Sequence, residues 1–119
     1  MLKSKNMKKF IAISISLIFA GCASSALLTP SQMDVDRVIT KYEGYSLADL
    51  NHGKVLYEKH CGNCHGLKKP ASKTEAEWEL IVPRMVKKVN KKEDITMDAA
   101  TQESILRYVI TMSEATSKH

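Results

Sequence analysis

Little in this sequence is suited to building an ordinary small core. Its 119 residues include one tryptophan, two phenylalanines and four tyrosines, and both phenylalanines, Phe10 and Phe19, fall in the first 21 positions. No stretch alternates apolar and polar residues as a half-buried strand would, so the expected class is all-α. With three cysteines, the chain cannot carry the even-numbered disulfide framework of a small stapled domain. No apolar run reaches the ~20 residues that a membrane-crossing helix needs. Acidic residues are missing from residues 1–21, which hold four of the 18 basic ones; the rest carries 14 basic against 13 acidic residues. A chain so nearly neutral is not expected to bind nucleic acid. Internal repeats and low-complexity tracts are absent as well, and the length suits one small domain.

The first 21 residues have a pattern of their own. Lys3, Lys5, Lys8 and Lys9 precede the apolar run "FIAISISLIFAG", which ends at Cys22. A basic start, a short apolar middle and a small-residue end mark a secretory signal peptide over residues 1–21. "FAGC" at 19–22 resembles the lipobox of bacterial lipoproteins, in which the cysteine after the cut carries lipid; Phe19 stands where that family usually has leucine. Cys22 is therefore the expected lipidation site. It would hold an exported, periplasmic protein to a membrane, since each buried CH₂ of lipid contributes about 0.8 kcal/mol. Residues 22–45 begin small and polar and contain Pro30, as a tether does, with a short helical turn expected between Met33 and Tyr42.

Three main helices are expected in residues 46–119. Ser46 caps the first, with Asp49 three residues on, and Leu50, Gly53, Tyr57 and Cys61 share a face. The second follows Thr74, with Glu77 in the capping-box position and an apolar stripe of Trp78, Ile81, Val82, Met85 and Val89. Pro83 within that stripe is expected to kink or interrupt it, because proline removes a helical donor. The third runs from about Met97 to Met112, with Ile105, Tyr108, Val109 and Met112 together. Domains below ~70–80 residues seldom stabilise themselves without a staple, and residues 46–119 hold only three aromatics, Tyr57, Trp78 and Tyr108. A further apolar body is expected at the centre.

"EKHCGNCHGL", residues 58–67, supplies the means to hold one. Cys61, Cys64 and His65 allow three readings. Structural zinc would need a fourth ligand, and no second Cys or His pair follows. A thioredoxin-like redox pair would need a sheet that the pattern does not offer. Cys-x-x-Cys-His is also the signature of covalent c-type haem attachment, in which two thioethers tie the macrocycle to the chain and the histidine becomes the proximal axial ligand. Export and the cysteine count agree with this last reading: one thiol for lipid, two for haem.

With these residues quoted, 46–119 resembles the class I-like monohaem c-type cytochromes. That family has a glycine eight residues and an aromatic four residues before the first haem cysteine, matched by Gly53 and Tyr57. Its last helix has an aliphatic residue followed three positions later by an aromatic, matched by Ile105 and Tyr108. The resemblance implies a small cytochrome c-like fold of three main helices around one covalent haem c, with the first and last helices crossing at the glycine. It implies Cys61 and Cys64 as attachment sites, His65 as proximal ligand and a methionine as distal ligand. Met85 is the first candidate and Met97, just before the last helix, its rival. Met112 is expected to pack, and His52 and His60 to face solvent. The family's proline carbonyl on the proximal histidine would here come from Pro70.

The function implied is one-electron carriage between redox proteins rather than catalysis, because His65 and a methionine would leave the iron no open position. Lys68, Lys69 and Lys73 after the motif, and Lys87, Lys88, Lys91 and Lys92 after Met85, would suit partners with acidic docking surfaces. The alternative is a ligand-binding or sensor haem protein in which neither Met85 nor Met97 is a ligand.

Overall fold

The computed structural model describes residues 27–62 and 66–115, and these are helical with no strand among them, in agreement with the all-α class. Four helices follow in order: α1 (Gln32–Val38), α2 (Leu47–Cys61), α3 (Glu75–Glu93) and α4 (Ala99–Glu114), with a single 3₁₀ turn, Pro70–Ser72, before α3. Among the described residues no helix is long and apolar enough to cross a membrane. Residues 1–21 and Cys22 lie outside the described residues.

Local chemistry sets the helix ends. The Ser46 hydroxyl accepts the Asp49 amide at 3.1 Å, and the Asp49 carboxylate accepts the Ser46 amide at 2.9 Å. Thr74 and Glu77 repeat this box at the start of α3, at 3.3 and 2.7 Å. Each box satisfies two of the amides that a helix start leaves without partners. Asp98 caps α4 through the Thr101 amide at 2.7 Å, so that helix begins two residues later than expected and Met97 stays outside it. Helix α3 ends at Asp94, whose φ of 51° is left-handed; Asp is among the few non-glycine residues that adopt it readily.

Pro83 does not interrupt α3, which is continuous from Glu75 to Glu93. Both Pro83 and Glu79, whose carbonyl loses its donor, are exposed. The lost hydrogen bond thus falls on the solvent side of the helix, where water can replace it.

The core forms where α4 meets the other three helices. Trp78, Tyr57, Tyr108, Leu50 and Ile105 are fully buried there. Tyr57 packs at 5.6 Å between ring centroids from Tyr108, and edge-on at 6.2 Å from Trp78, contacts of about 0.5–1.5 kcal/mol each beyond area burial. Trp78 Nε1–H donates to the Pro70 carbonyl at 2.8 Å and fixes the 3₁₀ turn over the ring cluster.

The packed domain starts earlier than the expected boundary at 46. Val35 and Val38 of α1, and Tyr45 after it, are buried in the same core. Arg37 donates to the Thr111 carbonyl of α4 at 3.2 Å and to Asp34 at 2.6 Å, while the Arg107 guanidinium lies 4.8 Å from the Tyr42 ring. Seven residues are too few for a stable free helix. Docking on α4 stabilises α1, which is why local sequence pattern alone suggested only a turn.

Burial tends to raise the Asp34 carboxyl, but hydrogen bonds from Arg37 and Ser31 outweigh it and hold the group below the usual aspartate range. A depressed carboxylate stabilises the fold fully above its unfolded value, and the contribution disappears as pH falls through the lower folded value. Melting temperatures of the wild type and Asp34→Asn should therefore differ most near neutrality and converge in acid. A gap that stays constant down to pH 2 would show that Asp34 is not the linked group.

Candidate cofactor site

Helices α2 and α4 cross at Gly53, and this crossing determines where the end of α2 points. A Cβ on Gly53 would lie 2.5 Å from the Ser104 carbonyl oxygen and 2.7 Å from Tyr108 Cβ. Only glycine permits so close an approach of backbones. One turn on, the Tyr57 ring fills the crossing and its hydroxyl donates to the Lys68 carbonyl at 2.7 Å. Burial pushes that hydroxyl's pKa well above its ordinary value, so it stays neutral and holds the segment after the cysteine motif. One further turn brings the chain to Cys61, also buried.

Cys61 lines a cavity of ≈ 370 Å³ between α2, the segment after the motif and α3. Its apolar wall comes from Tyr57, Cys61, Ile81, Met85 and Val89, with His60 beside them. Gly66, Lys68, Lys73, Arg84 and Lys88 complete the lining among the described residues. The size lies within the ~300–1,000 Å³ usual for small-molecule and cofactor sites. Because Ile81, Met85 and Val89 are four residues apart, α3 presents one straight apolar stripe to it.

The sequence-derived candidates separate clearly in space. Cys61 of α2 and Met85 of α3 line the same cavity. Met97 does not line it. That residue is buried at the α3–α4 connection, where its amide donates to Asn90 Oδ1 at 3.0 Å and its carbonyl accepts Gln102 Nε2–H at 2.9 Å. Met112 is buried on α4, as expected of a packing residue. Cys64 and His65 lie outside the described residues.

One smaller expectation changes. His52 is exposed, but His60 is buried against the cavity with its Nδ1 3.6 Å from Glu93 Oε2. The far end of α3 covers it, a tertiary contact that helical periodicity within α2 does not encode. The Pro70 carbonyl accepts Trp78 Nε1–H at 2.8 Å and the Lys73 amide at 3.3 Å. The histidine contact expected of this carbonyl involves His65, which lies outside the described residues.

Sequence reasoning missed Arg84 and His60 as lining residues. For Arg84 a signal existed: it stands immediately before Met85 and four residues before Lys88, so that a stripe centred on Met85 must bring one or both to its margin.

The cavity suits a large apolar group bearing anionic substituents. Its wall is aliphatic, aromatic and sulfur-bearing, its charged lining is cationic, and a cysteine thiol stands at one side with a methionine on the facing helix. A haem has that character: a flat apolar macrocycle, two carboxylates, and an iron that accepts sulfur and imidazole ligands. The residues present fit the group. No protein-family model matches the chain, and neither a curated protein nor a solved structure matches it.

Proposed function

We propose that the protein is an exported monohaem c-type cytochrome, held at a membrane by lipid on Cys22, that carries single electrons between redox proteins. The observation that carries this reading is the shared cavity of Cys61 and Met85, reached from two different helices. The Gly53 crossing with Tyr57 against Tyr108 supports it further, since the resemblance implied these residues in these roles.

In this reading Cys61 and Cys64 would hold the macrocycle through thioethers, and His65 and Met85 would be its iron ligands. The bound haem supplies a reversible Fe(III)/Fe(II) couple, whose potential a methionine thioether raises relative to two histidines. Tyr57, Ile81 and Val89, which line the cavity, would keep water from the group bound there. The Trp78–Pro70 and Tyr57–Lys68 hydrogen bonds fix the segment that follows the motif, so this segment would not need to rearrange on electron transfer. Two iron ligands from the protein would leave no position for substrate, which suits a carrier rather than an enzyme.

Lysines near the cavity suit donor and acceptor proteins with acidic docking surfaces. The placement of Met85 favours the carrier over the ligand-binding alternative, which needs that position to be vacant.

The test is expression of the full chain with a haem-attachment system, followed by a haem stain on a denaturing gel and spectra of both oxidation states. The expected result is covalent haem with a low-spin spectrum and the weak far-red band of methionine-to-iron bonding. Its electron exchange with an acidic partner should slow as salt is raised. A colourless protein would end the cytochrome reading, and a high-spin haem that binds CO readily would favour the sensor.

A further inference from the structure

Among the described residues four cations line the cavity, and no carboxylate does. Lys73 is in an ion pair with Glu77 at 3.7 Å. Among the described residues Lys68, Arg84 and Lys88 have no acidic partner within ion-pair distance. Surface cations on an ordinary solvated helix face commonly meet carboxylates at i±3 or i±4. On α3, Arg84 and Lys88 instead meet each other at that spacing, a like-charge pair that is mildly destabilising by itself.

We infer that Arg84 and Lys88, with Lys68 from the segment after the cysteine motif, are the seat for the carboxylates of the bound macrocycle, on the edge that thioethers to the cysteines would leave facing away from Cys61. The inference rests on the haem reading and adds residues to it. Its basis is the arrangement on α3: Ile81, Met85 and Val89 form the apolar stripe, while Arg84 and Lys88 run parallel along one margin. A ligand lying on the stripe brings an anionic edge to that margin. Arg84 can engage a carboxylate through two parallel N–H groups, and Lys88 and Lys68 act as point charges. Like-charge repulsion along α3 becomes attraction once the anions arrive.

The seat has an electrical consequence. Paired with cations, the carboxylates place little net negative charge near the iron. With a cation removed, the uncompensated anion favours the more positive Fe(III) state, and the potential falls.

The experiment is an optical redox titration of the exported holoprotein, comparing wild type with Arg84→Gln, Lys88→Gln, Arg84→Lys and Lys87→Gln. Lys87 is an exposed cation on the same helix that does not line the cavity, so it controls for charge alone. Arg84→Gln and Lys88→Gln should lower the potential by more than Lys87→Gln, and Arg84→Lys should recover much of the loss. Equal shifts for Arg84→Gln, Lys88→Gln and Lys87→Gln would overturn the seat while leaving the cytochrome reading standing. Absence of covalent haem from the wild type would overturn both.

Discussion

Replacing Gly53 with alanine should destabilise the domain although alanine is the better helix former. In an isolated helix the exchange would gain ~1 kcal/mol. Here the new methyl would meet the Ser104 carbonyl oxygen at 2.5 Å and Tyr108 Cβ at 2.7 Å. Neither is the tip of a flexible side chain, so α2 and α4 must move apart. Overpacking of this kind costs about 1–3 kcal/mol, and separating the helices also loosens Tyr57 from Tyr108. The contact term wins. Each kcal/mol lowers the melting temperature of a domain this size by about 4–8 °C, and Gly53→Val should lose more than Gly53→Ala. Val55 is the control: it lies on the same helix and is 58% exposed, so Val55→Ala should melt close to the wild type. A Gly53→Ala variant as stable as wild type would mean that the helices do not cross this closely.

The same position shows how much the sequence reveals. Leu50, Gly53, Tyr57 and Cys61 were readable as one face because a single helix brings them together at steps of three and four, and all four are buried. Ser46 with Asp49, and Thr74 with Glu77, were equally readable, since a capping box is complete within four residues. What escaped depends on contacts between distant segments. Helix α1 exists because Val35, Val38 and Arg37 meet α4, more than seventy residues along the chain. His60 is buried by the end of α3, and the Pro70 carbonyl is occupied by Trp78 from the helix that follows it. The cavity was foreseen only as a shortage of core, whereas its cationic margin needed the rotation of α3 to be known. The roles of Cys64 and His65 rest on their spacing from Cys61.

The methionine at the cavity can be identified by its spectrum. Met85→Ala should abolish the weak far-red band and shift the iron toward high spin, because a methyl group cannot replace the thioether. The variant should also bind CO in the reduced state. Its loss of stability should be smaller than that of a core methionine, since Met85 is only partly buried against the core. Met97→Ala should do the reverse. That side chain is buried, 6% exposed, and truncating a buried methionine costs about 2–5 kcal/mol, so the melting temperature falls while the spectrum stays low-spin. If instead Met97→Ala removed the band and Met85→Ala kept it, the α3–α4 connection would have to give up the Asn90 and Gln102 hydrogen bonds to bring Met97 to the iron. Measured together, spin state and stability separate a ligand from a packing residue, because each variant is expected to change one far more than the other.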